Sequence, residues 1–379
     1  MLNFHNPELL LRKYMDNFLI LEDYNELKNI EHLNSYKILL VTDENLANLT
    51  SIKRFLKIFK KYYDVKVFIL ESSEPDYKMI ESTSKKIFEN NYNCIIALGG
   101  GSILDIVKAS SMIENSLESV DNYSGSKKNY KNKSVRTIAI PTTAGTGSEF
   151  THTSVYKTRD KIKNWVWDEL TYFDYTIYIP SLTLELPKNM TIASGVDAFD
   201  HLIESLMSVK FNRDNIELCN KGMNIIWDSL PKLVSNKNNI VDRKKMLLAS
   251  GMAGKAIHFT GCGICHCIAH TLGSITKVPH GVAVAYGLLY TIEPVLKYKK
   301  DLIQRFDRPF KGLSCNSLID LIQDWIINLK IDYKLIEGKI NFEEFINIYF
   351  LDDNQSMRNN TFYQPKESDL KILLNNLWN

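Results

Sequence analysis

The chain lacks several features that would assign it to a common protein class. It has no run of about 20 apolar residues, the length a helix needs to cross a bilayer, so no transmembrane segment is expected. Its opening residues, MLNFHNPELLLRKYMDNF, do not show the basic-then-apolar order of a secretory signal, and a cytoplasmic location is the expectation. Six cysteines scattered over 379 residues are too sparse for a disulfide framework. An excess of one charge is also missing: 46 basic and 44 acidic residues leave a formal net charge of +2. Nucleic-acid binding needs a concentrated basic surface, so no nucleic-acid partner is expected. Two short lysine runs exist: Lys127, Lys128, Lys131 and Lys133, then Lys297, Lys299 and Lys300. Both are mixed with Tyr or Asn and read as solvated loops or helix ends, with a phosphate-binding patch as the alternative. The dinucleotide fingerprint G-x-G-x-x-G is absent as well.

What remains is an ordinary globular composition, 45% hydrophobic and 24% charged, enough for a sizeable core. Residues 37–42 (KILLVT), 65–70 (VKVFIL), 94–98 (CIIAL) and 136–140 (RTIAI) read as short buried strands. Helical stretches separate them, one running to about Tyr63, one over residues 77–90 and one over 103–113. Strands alternating with helices imply a parallel sheet covered on both faces. From about Pro187 helical periodicity takes over to the C-terminus. The expected organisation is an α/β domain over residues 1–187 and an all-helical domain over 188–379.

Two glycine-rich turns follow strands. Gly99, Gly100, Gly101 and Ser102 stand where a strand hands over to a helix. Glycine there permits unusual backbone angles and close approach of a ligand, and the helix N-terminus attracts phosphate. Asp105 is expected in the first turn of that helix, where a carboxylate suits the helix dipole. A phosphate cradle and a plain strand-to-helix turn are the two readings. The second turn, PTTAGTGSE at 141–149, offers the hydroxyls of Thr142, Thr143, Thr146 and Ser148. They can line a cofactor's phosphate, ribose or amide, or face solvent. Asp43 follows the first of these strands; it can bind ribose hydroxyls and repel a 2′-phosphate, or cap a helix.

Asp197 and His201 are four residues apart and share a helical face, with Glu204 near the same stripe. Three of the eight histidines, His266, His270 and His280, fall within fifteen residues. One carboxylate and three imidazoles make a good shell for a divalent transition metal. Asp197, His201, His266 and His280 can fill it and leave a position for substrate, with His270 outside the set and placed for proton transfer. Cys262, Cys265 and Cys267 interleave with His266 but have no second pair nearby, so they read as free cysteines beside the site.

These residues resemble the iron-containing (group III) alcohol dehydrogenase family. The resemblance runs from about Lys37 to the last helix and rests on GGGSILDIVKA at 99–109, PTTAGTGSE at 141–149, GVDAFDHLIES at 195–205 and HCIAHTLGSITKVPHG at 266–281. It implies a dehydroquinate synthase-like architecture, with an N-terminal dinucleotide-binding domain, a helical metal-binding domain and the cofactor in the cleft. It implies that Asp197, His201, His266 and His280 hold the metal, Fe2+ with Zn2+ as the alternative. Gly100, Gly101 and Ser102 would contact the pyrophosphate, and Thr142, Thr143 and Thr146 would lie near the nicotinamide and ribose. Asp43 would favour NAD(H) over NADP(H), and His270 would lie close to the nicotinamide. The expected reaction is hydride transfer between NAD(P)(H) and a small alcohol, aldehyde or ketone, with the metal polarising the substrate oxygen. Homo-oligomers, dimers or larger, are implied too. Narrower alternatives are an aldehyde reductase of the phosphonoacetaldehyde type and a glycerol-dehydrogenase-like polyol dehydrogenase. Where the family commonly reads Asp-Pro before its Leu-Thr segment, this chain has Ile179-Pro180-Ser181-Leu182-Thr183. Residues 163–168 (KNWVWD), residues 341–361 and the first 35 residues also depart from the pattern, which leaves the substrate open.

Overall fold

The computed structural model describes residues 6–113, 119–126, 133, 135–160, 163–336 and 340–375. Of the first lysine run, Lys127, Lys128 and Lys131 lie outside the described residues. Contacts divide the chain into two compact units. One holds the residues up to Leu186 together with Asn238–Leu247; the other holds Pro187–Lys237 and the residues from Leu248 onward.

The first unit contains α1 (Pro7–Tyr14), β1 (Phe18–Ile20), β2 (Ile38–Asp43), α2 (Glu44–Ala47), α3 (Thr50–Tyr62), β3 (Val65–Leu70), α4 (Tyr77–Glu89), β4 (Cys94–Gly99), α5 (Gly101–Ser110), β5 (Arg136–Pro141), β6 (Thr153–Lys157), β7 (Lys163–Trp167) and β8 (Tyr175–Tyr178). Six strands form one parallel sheet in the order β1-β8-β5-β4-β2-β3. Side chains alternate across each strand, so the sheet feeds two cores. Leu39, Val41, Ile95, Ala97 and Ala139 pack on one face with Ile80 and Ile87 of α4 and Leu104 and Val107 of α5. Ile38, Leu40, Ile96, Leu98, Ile138 and Ile140 pack on the other with Ile52, Phe55 and Phe59 of α3. Burial on both faces is why these strands read as near-continuous apolar runs.

Counted from β2, the strand order is 2-1-3-4-5, with β1 added at the edge. The winding reverses between β2 and β4. In such sheets the ligand crevice lies at the carboxyl ends of the two strands flanking that reversal. Those ends carry Asp43 and the Gly99–Gly101 turn.

Several details differ from the sequence reading. α5 begins at Gly101 rather than Ile103, which moves Asp105 into the second turn. The three-residue β1 is too short to announce itself by pattern. β6 and β7 form an antiparallel pair, and β7 occupies the divergent 163–168 segment. Lys133 is not a solvated loop lysine: its side chain is 13% exposed and pairs with Asp174 at 3.0 Å.

The second unit is helical among its described residues: α6 (Lys188–Met207), α7 (Ile216–Ser235), most of α8 (Ile240–Thr260), α9 (Ile264–Ile275), α10 (His280–Tyr298), α11 (Cys315–Asn328), α12 (Phe342–Tyr349), α13 (Gln355–Arg358) and α14 (Glu367–Asn375). α6 is its centre, buried almost throughout from Thr191 and packed on α7 and α10. One stripe of α6 is apolar: Phe199 sits 4.6 Å from the Trp325 ring and 6.1 Å from Trp227. Among the described residues, no helix is long and apolar enough to cross a membrane.

Candidate active site

With Phe199 committed to aromatic packing, the residues Asp197, Asp200, His201 and Glu204 form a second stripe on α6. Their spacing of three, four and seven is helical, and all four are buried. α9 and α10 bring His266 and His280 to this stripe. Asp197 Oδ1 lies 3.8 Å from His201 Nε2, 3.3 Å from His266 Nε2 and 3.5 Å from His280 Nε2. The His201 and His266 rings stack at 4.4 Å, nearly parallel, which presents their nitrogens side by side. The three imidazoles therefore converge on Asp197, with His266 and His280 grouped beside it and His201 grouped with His266.

The protonation of His266 sharpens this. Its Nδ1 lies 2.7 Å from Glu204 Oε2 and 3.0 Å from Asp200 Oδ2. A carboxylate accepts, so Nδ1 carries a hydrogen, and in the neutral imidazole Nε2 is the nitrogen with the lone pair. That lone pair faces Asp197 Oδ1, another acceptor. Converging lone pairs need a cation between them, either a proton or a metal ion. Donors about 2.1 Å from a shared ion in tetrahedral arrangement stand roughly 3.4 Å apart, and the three separations from Asp197 Oδ1 are near that size. The set fits a divalent metal. Burial alone would raise Asp197, but His201, His280 and His266 overcome it and hold the carboxyl below the usual range.

Glu204 does more than face the imidazole. Its Oε2 accepts from the Gly263 amide at 2.7 Å and its Oε1 from the Cys265 amide at 2.8 Å, so one carboxylate anchors the start of α9 and orients His266. Sequence reading noticed Glu204 only as a neighbour of the stripe and missed Asp200, although the i, i+3 step from Asp197 was visible. Gly281 lets the start of α10 approach α6 and bring His280 close: a Cβ there would lie 2.2 Å from the Ala193 carbonyl oxygen of α6. His270 lies beside the cluster, its ring 5.4 Å from His280 and 6.4 Å from His266.

All six cysteines are free. Cys262 approaches His201 and His266, while Cys265 joins Asp200 and Glu204 behind His266. Among the described residues, no group of possible ligands contains two cysteines. Burial pushes the Cys262 thiol up to about 12.

In the first unit, β4 and β5 are neighbours with Gly99 opposite Pro141, so the two glycine-rich turns lie side by side. The Thr142 amide donates to the Gly99 carbonyl at 3.0 Å. Gly99, Gly100 and Gly101 do not take left-handed angles; among this group of loops only Gly147 does, at φ 58°. Their need for glycine is spatial. A Cβ on Gly101 would meet Thr146 Cγ2 at 2.7 Å, and one on Gly100 would meet Thr143 at 3.2 Å. Gly100 caps α5 without a side chain; the Ile103 and Leu104 amides donate to its carbonyl, which leaves the Gly101 and Ser102 amides and the exposed Ser102 side chain available to a ligand. Thr142 is buried and its hydroxyl has no hydrogen-bond partner among the described residues. Such an unmatched hydroxyl, beside unpaired helix amides at a sheet's switch point, fits a phosphate-bearing cofactor.

Not every expected contact residue points outward. Ser148 donates to Asp105 Oδ1 at 2.6 Å, and Asp105 Oδ2 accepts from the Val155 amide at 3.0 Å. Both residues thus serve the loop's internal bracing. Thr146 Oγ1 accepts from the Ser148 amide at 3.2 Å. Asp43 caps α2, accepting from the Leu46 amide at 2.9 Å, and still stands at the carboxyl end of β2.

Comparison with known proteins is decisive at this point. The family described as "Iron-containing alcohol dehydrogenase" matches residues 22–180, and "Fe-containing alcohol dehydrogenase family, C-terminal" matches residues 191–378. A sulfoacetaldehyde reductase of Bilophila wadsworthia (strain 3_1_6) is 31% identical over 336 residues, spanning 85% of this chain and 84% of its own length. The chain belongs to the iron-containing alcohol dehydrogenase family. Like that family, it is a metal-dependent oxidoreductase that interconverts alcohols with aldehydes or ketones using NAD(P)(H). A 4-hydroxybutyrate dehydrogenase of Clostridium kluyveri is 35% identical over 214 residues, 55% of this chain and 57% of that one. Among solved structures, the sulfoacetaldehyde reductase from Bifidobacterium kashiwanohense in complex with NAD+ shares the fold, with a TM-score of 0.84 over 95% of this chain and 96% of that one at 24% identity.

Proposed function

We propose that this alcohol dehydrogenase holds one divalent metal, Fe2+ in preference to Zn2+, with Asp197, His201, His266 and His280. It would use NAD(H) to reduce a small aldehyde carrying an anionic group. The convergence of three imidazole nitrogens on Asp197 Oδ1 carries the metal assignment. When bound, the metal supplies Lewis acidity toward the substrate oxygen and the nicotinamide supplies the hydride. Residues up to 187 act as the nucleotide-binding domain and residues 188–379 as the metal-binding, catalytic domain. Glu204 and Asp200 hold His266 in the tautomer that presents Nε2. His280, with 32% of its side chain exposed, forms the accessible rim of the cluster. His270 exchanges the substrate's proton at a ring nitrogen.

Gly99, Gly100, Gly101 and Ser102 receive the pyrophosphate, and Thr142, Thr143 and Thr146 line the ribose and nicotinamide. Support comes from the bare first turn of α5 and the unmatched Thr142 hydroxyl. Asp43 at the end of β2 supports NAD(H): its carboxylate would repel a 2′-phosphate. The substrate class rests on the relatives, one of which reduces sulfoacetaldehyde while another acts on 4-hydroxybutyrate, both small molecules with an anionic end.

The test is a panel of small aldehydes, sulfoacetaldehyde, succinate semialdehyde and propanal among them, assayed with NADH and NADPH before and after chelation. Turnover should favour the anionic aldehydes and NADH, vanish on chelation and return best with Fe2+. Equal turnover of propanal and the anionic aldehydes would sink the substrate class. Turnover that survives chelation would sink the metal role.

A further inference from the structure

Two charged side chains are buried in the first unit, with a third half-buried beside them, where the reaction has no evident use for them. Lys108 and Glu149 are only 1% and 2% exposed, and Asp105, half-buried with 15% of its side chain exposed, faces the same segment. Lys108 Nζ donates to Thr151 Oγ1 at 2.9 Å and to the Thr153 carbonyl at 2.8 Å, and lies 3.9 Å from Asp105 Oδ1. Asp105, one turn earlier on α5, accepts from Ser148 Oγ and the Val155 amide, and its own carbonyl accepts from Ser154 Oγ at 2.8 Å. Glu149 accepts from the Tyr178 hydroxyl at 2.8 Å, and its charge acts on Lys108. Two side chains of α5 therefore grip the chain continuously from Ser148 to Val155.

For stability alone this is an uneconomical arrangement, because buried ion pairs gain little over apolar packing. What they provide is a fixed geometry, and geometry is what the neighbouring loops need. At Gly101 the two glycine-rich turns approach so closely that a single methyl would collide with Thr146. A shift of α5 along the sheet would separate its first-turn amides from the hydroxyls of the 141–149 loop. We infer that Lys108 is a positioning residue for the nucleotide: through Thr151, Thr153 and Asp105 it locks the helix that presents the phosphate-binding amides to the loop that presents the hydroxyls. This inference rests on the cofactor site proposed above.

The experiment compares Lys108→Met, Lys108→Arg and Thr151→Val with the wild-type holoenzyme. NADH affinity is read by fluorescence, alongside KM for NADH, KM for the aldehyde, kcat and metal content. Lys108→Met should weaken NADH binding about tenfold or more, with KM for NADH rising in step, since a small misplacement of binding groups has effects of that size. Its kcat at saturating NADH, its aldehyde KM and its metal content should stay within about twofold of wild type. Lys108→Arg should recover part of the loss. Thr151→Val should weaken NADH binding about two- to threefold, and adding it to Lys108→Met should cost nothing further, as expected for one shared network. NADH affinity unchanged in Lys108→Met, or lost together with kcat and metal, overturns the inference. If Lys108→Met does not fold, Thr151→Val decides in the same way, and unchanged affinity there overturns it. Wild-type protein that binds no NADH would remove the cofactor site itself, a result distinct from wild-type binding that the variants leave untouched.

Discussion

Glu204 Oε2 lies 2.7 Å from His266 Nδ1, and the same carboxylate takes the amides of Gly263 and Cys265. This one contact fixes three things: the start of α9, the rotation of the imidazole and the tautomer that frees Nε2. Carboxylates behind a ligating histidine commonly govern metal affinity. Glu204→Gln should weaken metal binding by about 10- to 100-fold in a chelator competition, with helical content unchanged. Asp200→Asn should act in the same direction. Wild-type affinity in both variants would mean that the two carboxylates serve packing only.

Gly281 stands next to His280 at the start of α10, where the backbone passes so close to α6 that a Cβ would sit 2.2 Å from the Ala193 oxygen. Gly281→Ala should push the two helices apart and withdraw His280. The expected loss is about 1–3 kcal/mol of stability, as for other overpacked sites, together with reduced metal occupancy. Thermal unfolding and metal content measured on the same sample check both parts.

Much of this architecture was legible in the residues themselves. β2, β4 and β5 announce themselves because parallel strands buried on both faces are continuous apolar runs, and β3 is an apolar run at the sheet edge; Asp197 and His201 stand at helical spacing, and three histidines fall within fifteen residues. The rest depends on tertiary partners. β1 has three residues, and β6 and β7 are short strands with polar neighbours. Asp200 gains its role only from the imidazole that α9 places against it. Nothing local to Lys108 says that β6 will cover it. The glycines of residues 99–101 suggested unusual backbone angles, whereas the structure asks only for the missing Cβ, which depends on where Thr143 and Thr146 fall.

Asp43 combines a helix cap with a charge at the end of β2. Asp43→Ser keeps a good capping residue and removes the charge. It should raise the ratio of kcat/KM with NADPH to that with NADH by at least about tenfold, the effect of relieving a close like-charge pair. Steady-state kinetics with both cofactors checks it. An unchanged ratio would confine Asp43 to its capping role.

Asp174 ties β8 to β5, pairing with Lys133 at 3.0 Å and accepting from the Thr137 amide at 2.8 Å. Burial alone would raise its carboxyl; Lys133 and Thr137 outweigh that and hold it below the usual aspartate range. A depressed carboxyl stabilises the fold above its unfolded-state value and loses that contribution as pH falls through its folded-state value. Asp174→Asn should therefore melt several degrees below wild type at pH 6–7, with the gap closing below about pH 4. Thermal melts at a series of pH values report the gap, and a gap that widens in acid would reverse the sign of this argument.

The most direct test of the metal centre is elemental analysis of protein purified without chelator and dialysed, for the wild type and for His266→Ala and His280→Ala. The arrangement around Asp197 predicts one Fe or Zn per wild-type chain, and neither metal nor activity in either variant while the fold persists. Stoichiometric metal with near-wild-type turnover in both variants would contradict it, and the four side chains would have to be read as a buried hydrogen-bonded cluster instead.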